Sequence, residues 1–327
     1  MDREQLQKEC KVILSHLINK SKKFCEIACL PDGLLDIMLI YNRAGFIPDD
    51  IKYSNKISYD YDYFAFVKST KSLIAIRHLL NYKEHVFSED CMMIIRSIFE
   101  NHIMSRYVRE NIDDKAKEKE IIDNFIMAPL GVSFDYFINT GRKGVFSKDA
   151  EKVGEIKNPS SVIMGKEKNY YRTFYNYLCQ YTHCNYGAIS NYISNGELTI
   201  YGENDSLLTY LFAIFAFTKV YEGVVTVNGE DLVDTKTMKS FYDLAYDSLE
   251  LQSKVIDFLI YYYEKKPKNN INMVIEKYMG EGEFNNSNQK IARMLGLMKD
   301  SIFDDDIGSL DKSRFKDGRF TRIYQEW

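Results

Sequence analysis

The sequence predicts an all-α fold, a multi-helix bundle that carries at most one or two minor β-hairpins. Only 17 glycines and 5 prolines occur among the 327 residues, about 7% of the chain against roughly 12% in average proteins, so turns should be few. Apolar residues also recur in several segments at the 3.6-residue period of a helix. Hydrophobic residues make up 45% of the chain and charged residues 28%, which is enough to bury a core.

The N-terminal part is predicted to be helical with two interruptions. Apolar positions at helical spacing predict a first helix over residues 4–28, which a Pro-Asp-Gly sequence at 31–33 ends. A short helix is expected at 34–43 and a loop at 46–58. The next helix is expected over 61–83.

A strongly apolar helix is predicted over residues 88–110. The hydroxyl of Ser88 is expected to cap it, because serine accepts a hydrogen bond from a first-turn N–H. This helix is apolar on several sides and should be buried among others. A charged helical stretch at 113–120 then leads into the apolar residues 121–127.

The middle of the chain is more polar than the helical segments before it. Residues 141–165 are rich in lysine, serine and glycine, which predicts a loop and the most mobile internal region. A helix is expected at about 166–184. Two β segments are predicted after it, at 198–201 and within 224–233, where a β-branched run precedes an Asn-Gly pair.

The C-terminal half is predicted to hold the central helix of the core, around Leu207–Thr218. At about a dozen residues this apolar segment is too short to span a bilayer, which needs roughly 20. Three further helices are expected, from Asp234 or Thr235 to about 265, at 270–279 and at 285–300.

These elements suggest three parts of the chain. They are an N-terminal helical subdomain (1–58), a central bundle with the candidate site (59–266), and C-terminal helices with a tail (267–327). In that tail, lysines and arginines alternate with aromatic residues after position 311. Such a pattern suits phosphate contact and base stacking, and a docked or frayed tail is the alternative.

Charge and cysteine content limit the function classes. The net charge of −4 excludes a chain-wide basic field for nucleic acid, though not a local basic patch. The 6 cysteines form no Cys-x-x-Cys pair and no disulfide framework, so reduced thiols in the cytoplasm are expected. The charged N-terminus has no signal-peptide pattern, and no membrane partner is expected.

The common nucleotide, zinc, hydrolase and di-iron motifs do not occur, so we expect no cofactor and no metal.

Two predicted helices carry polar stripes in otherwise apolar or aromatic sequence. Arg96 and Glu100 lie four residues apart on the first. On the second, one face is shared by polar residues at spacings of four, three and four: Arg172, Asn176, Cys179 and His183. Charge inside a bundle costs several kcal/mol per ion unless it is paired, so Arg96, Glu100 and His183 are expected to meet. Such a cluster is either a structural network that fixes helix register or a site.

Arg96 is followed by His102 in a pattern that matches the Arg-x4–6-His motif of the HEPN helical ribonucleases. In those enzymes, arginine and histidine at a dimer interface cleave RNA without a metal. At 100° per residue, however, His102 lies about 120° around the helix from Arg96. A straight helix would therefore not place the two side chains together.

The sequence Arg96-Ser97-Ile98-Phe99-Glu100, with Tyr181-Thr182-His183 downstream, resembles an uncharacterised family of bacterial all-helical proteins. Their hallmark is an Arg-x-x-x-Glu helix and a later helix that ends near Ser/Thr-x-His. The resemblance covers roughly residues 60–265. It implies Arg96, Glu100 and His183 as the shared polar residues, a distant kinship to HEPN bundles and, by association, a bacterial defence or toxin system.

Two functions from different classes follow. The first is a metal-independent endoribonuclease or nucleotide-processing enzyme that binds RNA or a nucleotide and pairs as a homodimer. In it, His183 or His102 acts as general acid or base, Arg96 stabilises the phosphorane charge, and Glu100 orients one of them. The predicted substrate-binding residues are Arg172, Asn176 and Tyr181. The second is a non-catalytic helical sensor or adaptor, in which the same residues are structural.

Overall fold

The computed structural model describes residues 2–28, 53–82, 87–112, 114–132, 137–139, 141, 144–163, 168–182, 188–189, 192–194, 197–199, 205–232, 235–267 and 287–302. In this part of the chain, α-helices dominate and the strands are short, which confirms the predicted all-α class. The helices are α1 (Arg3–Ala28), α2 (Tyr53–Leu80), α3 (Ser88–Asn111), α4 (Glu118–Ile122), α5 (Ala128–Val132), α6 (Lys168–Cys179), α7 (Ser206–Leu232), α8 (Thr235–Lys265) and α9 (Ser287–Ser301).

Most long helices form where the apolar period predicts them, but the predictions for the starts of two helices are wrong. Helix α2 begins at Tyr53, within the predicted loop 46–58. No proline or glycine stops it there, and a helix once started extends at one hydrogen bond per residue. Helix α3 begins at Ser88, so Phe87 and not Ser88 occupies the capping position. The helices predicted at 34–43 and 270–279 lie outside the described residues, as does the C-terminal tail.

Helix α7 lies at the centre of the bundle, as its sequence predicts. Every residue from 207 to 223 is buried, and the helix packs against α1, α2, α3 and α8. An apolar sequence on all sides of a helix requires this kind of enclosure. Across the described helices, none combines the length and the apolarity that crossing a membrane would need.

The small antiparallel sheet corrects the predicted loop at 141–165. Strands β1 (Phe137–Asn139), β2 (Gly144–Phe146) and β3 (Lys152–Gly154) pair in that order. Val145 and Phe146 of β2 are buried, so this segment contributes to packing despite its polar composition. The mobility of the segment stays a prediction.

The two predicted β segments had different outcomes. Strands β4 (Ile193–Ser194) and β5 (Glu197–Leu198) form a short hairpin beside the predicted 198–201. The strand predicted within 224–233 is wrong, because α7 continues to Leu232. The preference of β-branched residues for strands predicts local structure only weakly. Extending a helix that is already formed costs less free energy than starting a new strand.

Candidate functional site on helices α3 and α6

Helices α3 and α6 pack against each other, and polar side chains line their contact. Arg96 of α3 contacts Thr182, which follows α6, whereas Arg106 contacts Tyr171 near the start of α6. The two helices therefore run in opposite directions along this contact. We call the contact the α3–α6 seam and define it by Arg96, Glu100, His102, Arg106, Glu110, Tyr171, Tyr175 and Thr182.

One end of the seam is built around the guanidinium of Arg96. Its Nη2 lies 2.9 Å from Glu100 Oε1 and donates to the Tyr175 hydroxyl at 3.1 Å. Its Nη1 donates to Thr182 Oγ1 at 2.7 Å. The side chains of Arg96 and Glu100 keep 22% and 27% of their surface exposed. These four residues, the Arg96 cluster, are therefore joined together, and the two charged side chains among them stay partly exposed.

Tyr175 joins the two charged members of the Arg96 cluster. Arginine only donates hydrogen bonds, so the tyrosine oxygen accepts from Arg96 and its proton goes to Glu100 Oε1, 3.0 Å away. The guanidinium also lies over the Tyr175 ring, 5.3 Å from its centroid. Burial raises the pKa of Tyr175 to about 12, so the hydroxyl keeps its proton at neutral pH.

The pKa of Arg96 is raised by its partners. Burial alone lowers it, but the hydrogen bond with Tyr175 and the charge of Glu100 outweigh burial. The guanidinium is thus held as a cation. Such a group can attract a phosphate or a developing negative charge.

The other end of the seam contains His102 and is more enclosed. His102 is 1% exposed, and its Nε2 is hydrogen-bonded to the Tyr171 hydroxyl. That hydroxyl also accepts from Arg106 Nη1 at 2.9 Å, and Arg106 Nε donates to Glu110 Oε1 at 2.6 Å. These four residues form the Arg106 cluster. His102 is thus almost closed to solvent.

The structure brings only some of the predicted site residues together. Arg96 and Glu100 form an ion pair, and His102 belongs to the separate Arg106 cluster. Arg172 and Asn176 are exposed on α6. The Tyr181 hydroxyl lies 3.0 Å from that of Tyr177.

His183 lies outside the described residues, so its meeting with Arg96 and Glu100 stays a prediction. The helix predicted over 166–184 spans only Lys168–Cys179, and a turn occupies 180–182. The face that Arg172 and His183 would share on one continuous helix therefore does not extend to position 183. What the structure adds is that Thr182, the residue before it, bonds to Arg96.

Within the Arg96 cluster, Tyr175 and Thr182 are the members that sequence reasoning missed as polar partners. A tyrosine counts as apolar in a hydrophobic pattern, although its hydroxyl makes the contact here. The signal in the sequence is spacing: Tyr171 and Tyr175 lie four residues apart on α6. They therefore stand on one face, opposite a helix that carries arginines.

No protein-family model matches the chain, and comparisons with curated proteins and with solved structures find no significant match. The kinship to the HEPN ribonucleases and to the bacterial helical family therefore stays a prediction from the sequence motifs.

Proposed function

We propose that this protein is a metal-independent RNA-cleaving or nucleotide-processing enzyme of HEPN-like type, and that it works at the Arg96 cluster. The observation that carries the proposal is the setting of Arg96. Three side chains hold its guanidinium in one geometry, yet 22% of the side chain is exposed. A fixed cation that solvent can reach suits the charge that develops in phosphoryl chemistry.

The proposed reaction is attack of an RNA 2′-hydroxyl on the neighbouring phosphorus. A bond forms between phosphorus and the 2′-oxygen, and the bond to the 5′-oxygen breaks, which leaves a 2′,3′-cyclic phosphate and a 5′-hydroxyl. His183 takes the 2′-hydroxyl proton and returns a proton to the departing 5′-oxygen. Arg96 stabilises the phosphorane charge, and Glu100 orients Arg96.

Three of the other predicted site residues have different roles in this proposal. Arg172 and Asn176 are exposed on α6, where they are available to contact phosphate or ribose. His102 is buried and bonded to Tyr171. We therefore assign it no contact with substrate.

Incubation of the purified full chain with mixed RNA, with and without a chelator, tests the proposal. We expect cleavage that leaves 2′,3′-cyclic phosphate ends, that persists with the chelator, and that is lost in Arg96→Ala and His183→Ala. Arg293→Ala is the control, because Arg293 is an exposed arginine on α9. No cleavage by the wild type, or equal cleavage by Arg96→Ala, would contradict the proposal. Loss of cleavage with the chelator would contradict its metal independence.

One observation favours the alternative, a non-catalytic sensor or adaptor. Glu100 lies 2.9 Å from the guanidinium of Arg96 and neutralises its charge, while Tyr175 and Thr182 accept hydrogen bonds from it. In a sensor or adaptor, the Arg96 cluster would hold α3 against α6 and would catalyse no reaction. In that case the wild type leaves RNA intact, and Arg96→Ala only lowers the melting temperature.

A further inference from the structure

We propose that Tyr175 is the positioning residue of the Arg96 cluster, and that its hydroxyl and ring together fix the plane of the guanidinium. The consequence for RNA cleavage rests on the proposed function. The positioning itself is measurable without any activity. Tyr175 acts through Arg96 and Glu100 and is not proposed to touch substrate.

The ion pair between Arg96 and Glu100 does not fix the guanidinium alone. Both side chains come from the same helix, four residues apart, and both are partly exposed. Pairs of this kind contribute little, because water screens the charges and long side chains lose freedom when they pair. Thr182 binds Nη1 from the turn after α6, and restraint of Nη2 together with the Glu100 carboxylate must come from a second helix.

Tyr175 supplies that restraint from α6. Its side chain is 6% exposed and packs in the core, so the ring has little freedom of its own. One hydroxyl accepts from Arg96 Nη2 at 3.1 Å and donates to Glu100 Oε1 at 3.0 Å. Arg96 Nη2, Glu100 Oε1 and the Tyr175 hydroxyl oxygen thus lie within 3.1 Å of one another, so the hydroxyl holds the cation and the carboxylate at once. The face of that ring attracts the cation 5.3 Å from its centroid.

Tyr171 is a matched control within the same seam. Its hydroxyl accepts from Arg106 at 2.9 Å, and Arg106 lies 5.8 Å from the centre of its ring. It stands one helical turn before Tyr175 on α6. Each hydroxyl thus has an arginine and one further partner, Glu100 for Tyr175 and His102 for Tyr171. Removal of either hydroxyl breaks two hydrogen bonds on the same helix, but beside a different arginine.

The first experiment measures guanidinium rotation by NMR in the full chain labelled with 15N-arginine. The Arg96 signals are assigned with Arg96→Lys. We expect slow rotation of the Arg96 guanidinium in the wild type and rotation about tenfold faster in Tyr175→Phe, as for the loss of one hydrogen bond to a charged group. Tyr171→Phe should leave Arg96 unchanged. Unchanged rotation in Tyr175→Phe, or an equal effect of Tyr171→Phe, would overturn the proposal.

The second experiment separates positioning from binding in RNA cleavage. We expect Tyr175→Phe to lower kcat about tenfold with little change in KM, because one hydrogen bond that aims a charged group is lost. Tyr171→Phe should keep the wild-type kcat. Faster rotation together with an unchanged kcat would overturn the link to cleavage. If the wild type does not cleave RNA, the proposed function fails, and the rotation measurement still decides the role of Tyr175.

Discussion

Arg96 donates a hydrogen bond from Nη1 to Thr182 Oγ1 across 2.7 Å, which links the middle of α3 to the turn that follows α6. The Thr182 hydroxyl in turn donates to the carbonyl of Cys179, the last residue of α6, at 2.9 Å. One threonine thus closes the end of α6 and holds the guanidinium.

Substitution of Thr182 tests this link. Thr182→Val keeps the shape of the side chain and removes the hydroxyl that accepts from Arg96 and donates to Cys179. We expect the free energy of unfolding to fall by about 1–3 kcal/mol, since one hydrogen bond to the charged guanidinium and one neutral hydrogen bond to Cys179 are lost at a partly exposed contact. Urea unfolding followed by circular dichroism measures the change. Thr182→Ser keeps the hydroxyl and should stay near wild type, and an equal loss in both variants would contradict the assignment.

The ion pair between Arg109 and Asp62 makes a contrasting prediction about burial. Arg109 Nη1 lies 3.1 Å from Asp62 Oδ2, and the aspartate side chain is only 2% exposed. Asp62→Ala removes the carboxylate that neutralises a mostly buried guanidinium. We expect the free energy of unfolding to fall by about 3–5 kcal/mol, the usual cost of breaking a buried ion pair.

An exposed pair on α8 is the control for Asp62→Ala. Lys254 and Glu250 approach to 4.0 Å, with 53% and 49% of their side chains exposed. Glu250→Ala should change the free energy of unfolding by less than about 1 kcal/mol, because water screens such pairs. Similar losses in the two variants would show that burial does not decide the strength of these pairs.

How much of the site could be predicted differs between its members. Arg96 and Glu100 stand out because charged residues four apart are conspicuous on an apolar helix. The role of Tyr175 is hidden, since the period of a helix shows which face is buried but not which neighbour packs against it. The seam depends on α3 meeting α6, and that pairing is a property of the whole bundle.

The small sheet shows why short strands escape sequence analysis. Its strands have three residues each, too few to display an alternating pattern. They are held by contacts with distant residues: the Asn124 side chain accepts from the backbone N–H of Glu155 at 2.7 Å. The apolar first part of helix α7, in contrast, could be predicted, because a segment that is apolar on all sides is stable only when other helices enclose it.

Glu89 makes the stability of the protein depend on pH. Burial, aided by the charge of Asp90, raises the pKa of Glu89 to about 7 although a backbone hydrogen bond opposes the shift. The folded state therefore holds this proton more tightly than the unfolded state, where the pKa of a glutamate has its ordinary value of 4.5. The stabilising contribution is full below pH 4.5 and is lost as the pH rises through about 7.

Glu89→Gln, which has no proton to lose, isolates this effect. Relative to the wild type, the variant should gain stability between pH 4.5 and 8, by up to about 3 kcal/mol from the linkage of protons to folding. Urea unfolding of both proteins across that range gives the difference, in which the other titrating groups cancel. A difference that does not change with pH would contradict the assignment.

Two glycines should respond in opposite ways to the same substitution. A Cβ on Gly154 of β3 would lie 2.5 Å from the carbonyl oxygen of Asp123, a backbone atom that cannot swing away. Gly154→Ala should therefore cost about 1–3 kcal/mol, as overpacking does. Gly296 lies inside α9, and a Cβ there would meet no atom within 4 Å.

Gly296→Ala should accordingly stabilise the protein by about 1 kcal/mol, because alanine loses less backbone freedom in a helix than glycine. Thermal unfolding of the two variants beside the wild type measures both effects, and each variant controls for the other. The Gly154→Ala loss depends on the contact between β3 and the carbonyl of Asp123. Tolerance of alanine at 154 would therefore mean that the sheet does not pack against the Asp123 backbone.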